Sequence, residues 1–222
     1  MSVTRNRRQL ADFASTASPH SWLIVAENLH LQALHLHQDR RGQITWTEIS
    51  DDGHHASWDA TNRAVFLLGG FALENAIKAL LVHEFPAWVS NGRLSRELRT
   101  HSLTILEGMS GLFPNRREHR WVLGEFEDGL ESWARYPCSL NADREAEEML
   151  MDAELWEGYL KAMKSLGRRL SFLLDQGWHG PHGVFEQWRS EGDLWLGSGK
   201  GQKALSRPLP DERKAAGIGP RE

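Results

Sequence analysis

Ala64-Val65-Phe66-Leu67-Leu68-Gly69-Gly70-Phe71-Ala72-Leu73-Glu74-Asn75-Ala76-Ile77-Lys78-Ala79-Leu80-Leu81-Val82 decides the fold. From Ala64 to Leu73 no side chain is polar. A helix that is apolar all round has to be covered on every side, so this one belongs at the centre of a helical protein. It is too short to span a bilayer before Glu74, Asn75 and Lys78 interrupt it. Gly69 and Gly70 each cost a helix up to about 1 kcal/mol relative to alanine. Close approach of another helix backbone is the simplest way to offset that cost.

At 100° per residue, Arg63, Leu67, Gly70, Glu74 and Lys78 share one stripe of this helix. Glu74 precedes Lys78 by one turn, the favourable order for an ion pair. The stripe is either a solvated edge or a polar patch beside a glycine notch that faces a cleft or a second subunit.

Working outward, residues 1–17 carry Arg5, Arg7 and Arg8 and little apolar periodicity, which predicts a mobile arm or a short extra helix. Ser18-Pro19 is a helix start. Trp22, Ala26, Leu29, Ala33 and Leu36 then recur at helical spacing, so a helix is expected over 19–37. Ile44 to Ile49 alternates as a strand or hairpin does, with His54 and His55 in a loop beyond it. Ser57 or Asp59 should cap the central helix, and Pro86 should end it at Phe85. After a polar loop with at most one helical turn, Thr100 can cap a short helix through Leu103, Leu106 and Met109. A further helix carries Leu123, Phe126, Leu130 and Trp133 as far as Pro137. Asn141 then caps a long helix with Asp143, Glu145, Glu147 and Glu148 at its positive end. Its seam is Met149, Ala153, Trp156, Leu160, Met163, Gly167, Leu170 and Leu174. The fold class is therefore all-α, an antiparallel up-and-down bundle of about five helices. Residues 18–177 form the bundle, 178–196 an extension that docks back on it, and 197–222 a disordered tail.

The 222 residues carry a net charge of −4 with a pI near 6.3, so no global basic field draws in nucleic acid. Any RNA contact needs a local patch. The single cysteine, Cys138, excludes an internal disulfide and a multi-cysteine zinc site. His30 and His37 share a helix face but have no carboxylate or cysteine beside them, so an exposed face is expected rather than a metal site. His179-Gly180-Pro181-His182 has the same weakness. Gly197-Ser198-Gly199-Lys200-Gly201 lacks the spacing and preceding strand of a phosphate loop. No metal or cofactor is expected. Met1 to Asp12 has no apolar signal core and no membrane span follows, so a cytoplasmic location is expected. Ten tryptophans lean towards an oligomer, because aromatic anchors are enriched in interfaces.

Three stretches in order resemble the HEPN superfamily (higher eukaryotes and prokaryotes nucleotide-binding domain). They are Leu68 to Leu81, then Thr100-His101-Ser102-Leu103, then Trp133-Ala134-Arg135-Tyr136-Pro137. The resemblance covers about Pro19 to Gln176. It implies an all-α bundle that forms a homodimer through its long helices. It also implies one of two functions. Some members are metal-independent endoribonucleases of toxin, abortive-infection or other defence systems, which travel with an antitoxin or partner protein. Others are nucleotide-binding or interaction modules without catalysis. The ribonucleases use an Arg followed four to six residues later by His, a spacing that Arg96 and His101 match. A histidine can move the 2′-hydroxyl proton and an arginine can stabilise charge on phosphate. The motif of the ribonucleases lies at a later helix, where Asn115-Arg116-Arg117-Glu118-His119 has the wrong spacing. His101 is thus a catalytic or a capping residue. Glu74, Lys78, Arg135 and Tyr136 are the candidate RNA or nucleotide contacts. An Arg-Tyr pair can stack on a base or hold a phosphate, and Arg135 can equally anchor Glu74 inside the bundle.

Overall fold

The computed structural model describes residues 6–38, 45–49, 55–59, 61–136, 149–189 and 195–197. Helices dominate them: α1 (Arg7–Thr16), α2 (Pro19–Gln38), α3 (Asn62–Glu84), α4 (Leu103–Met109), α5 (Arg116–Glu131) and α6 (Ala153–Gln176). Two short antiparallel ladders join β1 (Thr45–Ile49) to β2 (His55–Asp59), and β3 (Trp178–His179) to β4 (Phe185–Glu186). The region before Pro19 is a helix. Asn6 Oδ1 accepts from Gln9 N at 2.8 Å, and Gln9 Oε1 accepts from Asn6 N at 3.2 Å. That reciprocal cap satisfies two donors that a helix start leaves open.

The stretch that decides the fold is α3, with α2, α4, α5 and α6 against it. It is long and apolar enough to cross a bilayer, but 78% of its most apolar stretch is buried under these neighbours. The two glycines do not admit a neighbouring backbone, as the sequence suggested. They admit side chains. A Cβ on Gly69 would lie 2.7 Å from Phe126 Cε1, and one on Gly70 would lie 2.8 Å from Leu130 Cδ1. Both partners belong to α5, so the notch is filled from within the chain and faces neither a cleft nor a second subunit. The solvated-edge reading fails as well, because Glu74 and Lys78 are buried.

Several caps differ from the sequence expectation. Ser57 and Asp59 both lie in β2, paired with Thr47 and Thr45, so neither caps α3; Thr61 holds that position. His55 is likewise a strand residue. Two 3-10 turns, Pro86–Val89 and Glu97–Arg99, occupy the stretch expected to hold one turn at most. Ser102, not Thr100, caps α4, its Oγ accepting from Ile105 N at 3.2 Å. Helix α5 stops at Glu131 and does not run to Pro137. Ser132 Oγ donates to the Asp128 carbonyl and competes with the helix there, while Trp133 turns to pack edge-on against Phe66 at 4.5 Å. Helix α6 starts after Asp152, which accepts from Leu155 N at 2.8 Å. The buried Asn62 at the head of α3 holds the entering chain, donating to Met149 O and accepting from Met151 N. Asn141, its acidic neighbours and Cys138 lie outside the described residues, as do His54 and residues 198–222.

The buried stripe of α6 is wider than a two-position seam. Leu155, Tyr159, Ala162, Leu166 and Leu173 join Trp156, Met163, Gly167, Leu170 and Leu174, while Met149 and Ala153 are exposed. A helix packed against α2, α3 and α5 needs apolar residues over more than one line. Beyond it, Trp178 is buried and donates Nε1–H to Val82 O at 3.2 Å, and Trp188 stacks on His20 at 3.6 Å. Leu196 N donates to the Glu27 carboxylate. Gly167 makes room for the Trp195 carbonyl, which would lie 2.1 Å from a Cβ there.

His30 is not on an exposed face. It is buried, with Nδ1 2.8 Å from the Tyr159 hydroxyl. Burial lowers its pKa from 6.5 to about 4. Above pH 6.5 it is neutral in both folded and unfolded chains and adds no pH dependence. As pH falls below 6.5 the unfolded chain takes up the proton first, so stability falls, by roughly 3 kcal/mol once pH reaches about 4. His20, His83 and His119, also lowered by burial, act in the same direction. The expected outcome is a urea midpoint that drops between pH 6.5 and 4, with a shallower drop in His30→Gln. Equal slopes for the two proteins would contradict it.

Candidate functional site

The candidate residues separate into two places. At the first, α3 sets Glu74 and Lys78 one turn apart, and Lys78 Nζ lies 2.6 Å from Glu74 Oε1. Both side chains are almost fully removed from water, at 4% and 6% exposure for Lys78 and Glu74. His101 Nδ1 lies 3.1 Å from both oxygens of the same carboxylate, yet its own side chain is 60% exposed. The indole of Trp22, on α2, lies over the ammonium, with Nζ 5.6 Å from the ring centroid. An ionised carboxylate only accepts hydrogen bonds, so Nδ1 is the nitrogen that donates. The neutral imidazole therefore carries its proton on Nδ1 and keeps a lone pair on Nε2, the nitrogen not turned to Glu74. That tautomer is the one a general base needs.

Helix α4, which follows His101, is tied down at both ends. Ahead of the helix, Ser102 Oγ donates to Glu127 Oε1 at 2.8 Å, and Glu127 Oε2 accepts from Thr104 N at 2.6 Å. Thr100 Oγ1 accepts from Ser102 N at 3.3 Å. Behind the helix, Glu84 from α3 accepts from Ser110 Oγ and Gly111 N. Arg116 donates to the carbonyls of Glu107 and Ser110 and pairs with the buried Glu107 carboxylate. Thus Arg116 is a clamp between α4 and α5. His119 is buried in the core.

Arg96 is exposed and opens the 3-10 turn Glu97–Arg99, which the buried Leu98 anchors. Among the described residues its side chain has no hydrogen-bonded or ionic partner. It stands on the same short segment as His101.

The second place is at the other end of α3. Arg63 Nη1 donates to Tyr136 O at 3.3 Å, and the Arg135 guanidinium lies 5.5 Å from the Tyr136 ring centroid. Arg135 is exposed. Eleven residues of α3, roughly 16 Å at about 1.5 Å each, separate Arg63 from Glu74. Arg135 and Tyr136 therefore do not line one cleft with Glu74 and Lys78 in a single chain, and Arg135 is not the anchor of Glu74. That part belongs to Lys78 and His101.

Sequence reasoning missed Trp22 and Glu127 as parts of this arrangement. A tryptophan at a core spacing gives no sign of a cation beneath it. Ser102 ahead of an apolar run was the available sign of the true cap. In the last turn of α2, His37 stacks on Trp156 at 3.8 Å and His35 is exposed. Among the described residues no three His, Cys, Asp or Glu side chains gather as a metal site. Comparison with protein-family models, with curated proteins and with solved structures gave no match.

Proposed function

We propose that this chain is a HEPN-like antiparallel bundle, homodimeric, that engages RNA or a nucleotide in a stress or defence system. It would do so through the surface around His101. The observation that carries this reading is an exposed imidazole fastened to a buried ion pair. A buried ion pair gains little stability over an apolar pair of the same size. Beneath an exposed imidazole it has another use, because it fixes the ring's orientation and tautomer. Arg96, close by in sequence and in solvent, offers a guanidinium for phosphate. A protein partner of the antitoxin kind belongs to the same reading.

A second reading is favoured by the tautomer itself. With the Nδ1 proton held by Glu74, Nε2 can accept the proton of an RNA 2′-hydroxyl. That oxygen attacks the adjacent phosphorus, the bond to the 5′-oxygen of the next nucleotide breaks, and a proton returns to that oxygen. The products are a 2′,3′-cyclic phosphate and a 5′-hydroxyl, with no metal needed. Arg96 would stabilise charge on the phosphorane oxygens.

The test uses wild type, His101→Ala and Arg96→Ala with labelled and total RNA in EDTA, each checked for folding. Either replacement is expected to weaken RNA or nucleotide binding at least tenfold. Cleavage by wild type alone would establish the catalytic reading. Undiminished binding in both variants, with no cleavage by wild type, would refute both readings.

A further inference from the structure

Among the described residues, His35, His101 and His179 are the exposed histidines, and His101 alone of them has a carboxylate on its ring. Lys78 bonds Glu74 Oε1, while Oε2 has Nδ1 of His101 as its one partner among the described residues. The bond fixes the ring proton on Nδ1 and the lone pair on Nε2, at the other side of the ring. No described residue bonds Nε2, and the side chain is 60% exposed. At His35 and His179 no hydrogen bond to a described residue makes that choice, so the proton is shared between the two nitrogens.

A lone pair fixed on the exposed nitrogen is a nucleophile that needs no base, since it carries no proton to remove. The neighbouring charges favour phosphorus as its electrophile. Arg96 and Arg99 are both exposed, and Arg99 N donates to Arg96 O at 3.1 Å. Residues three apart eclipse in a 3-10 turn, so both guanidiniums stand on one side of it, with Glu97 about a third of a turn away. The turn ends at Arg99, two residues before His101. Guanidiniums suit the oxygens of a phosphoryl group. Attack on phosphorus leaves the proton on Nδ1, so the product ring is an imidazolium. Its positive charge faces Glu74 Oε2, and an opposite charge at that distance favours the charged form.

We propose that His101 is a phosphoryl-acceptor residue, modified on Nε2 by a donor of the phosphoramidate class. The Nε2 lone pair attacks phosphorus, the donor's P–N bond breaks, and the leaving nitrogen keeps the electron pair and takes a proton from solvent. One P–N bond forms as one breaks, so no oxidant or reductant is needed. The proposal shares the orientation of His101 with the reading above but needs neither RNA nor a nucleotide.

The experiment incubates the full chain with potassium phosphoramidate and follows each histidine by mass spectrometry and phosphorus NMR at alkaline pH, where the P–N bond survives. His101 should be labelled at least tenfold faster than His35 and His179, and on Nε2 alone. His101→Ala should lose this fast phase. Glu74→Leu/Lys78→Met should bring His101 down to the rate of the other two and label both of its ring nitrogens. The rate and the isomer are both read in wild type, so the test stands even if the double variant folds poorly. Labelling of His101 no faster than that of His35 and His179, or labelling on Nδ1, would overturn the proposal. A fast phase that persists in the folded double variant would overturn it too, because the carboxylate would then not set the nucleophile. Fast Nε2 labelling in a chain that binds neither RNA nor a nucleotide would keep this proposal and remove the earlier reading. RNA or nucleotide binding that needs His101, without the fast labelling, would do the reverse.

Discussion

Replacing Lys78 by methionine is expected to destabilise the protein by about 3–5 kcal/mol, the usual cost of removing one partner from a buried ion pair. Methionine keeps most of the stem and its packing, so the loss falls on the charge. Glu74 would remain buried with His101 as its remaining side-chain partner among the described residues, itself held at 3.1 Å and largely in water. Glu74→Leu should be similarly costly, because it strands the ammonium under Trp22. The double variant Glu74→Leu/Lys78→Met should regain most of that loss, ending within about 1–2 kcal/mol of wild type, since an apolar pair of similar size often replaces a buried ion pair at little cost. Urea unfolding of the four proteins closes the cycle. Simple additivity of the two single losses would mean that the charges do not depend on one another, and the support assigned to His101 would fail. Function separates the two uses of the pair. A stable double variant should still have lost RNA or nucleotide binding, because nothing then orients His101.

How much of this was legible in the sequence follows from the range of each interaction. The central helix was readable because its evidence is local: an unbroken apolar run and a proline just past its end. The Glu74–Lys78 pair was readable for the same reason, one turn of one helix. Its environment was not. Periodicity says which residues share a stripe, but what covers the stripe is decided by Leu130, Trp22 and His101, which the chain brings from elsewhere. The cap of α4 shows the limit clearly. Thr100 and Ser102 are both good caps by residue type, and the choice is made by Glu127, which bonds Ser102 Oγ and Thr104 N from another helix. His30 was misplaced because its partner, Tyr159, is 129 residues away. The split of Arg135 and Tyr136 from Glu74 had no local sign at all, since it depends on where α5 ends along α3.

The glycines give the other large effect. Phe126 is fully buried, 5.1 Å from the Phe66 ring and 5.2 Å from the Tyr159 ring, and its edge fills the space beside Gly69. Phe126→Ala should cost about 3–5 kcal/mol, since three helices meet at the cavity it would leave. Gly69→Ala tests the same contact from the other side. In an open helix position it should stabilise by up to about 1 kcal/mol through backbone propensity. Here the new methyl meets Phe126 Cε1 at 2.7 Å, so overpacking of about 1–3 kcal/mol should win and the variant should be less stable. Phe126→Leu removes the ring atoms that cause the clash. In the double variant Gly69→Ala/Phe126→Leu, the alanine should therefore be neutral or stabilising, with a coupling of about 0.5–3 kcal/mol between the positions. A stabilising Gly69→Ala in the wild-type background would return the glycine pair to an open face, available to a second subunit. The expected loss ties the central helix to α5 instead. The polar end of α3 is then fixed in the protein by the same packing that hides its charges, and His101 is the part of that network left in contact with water.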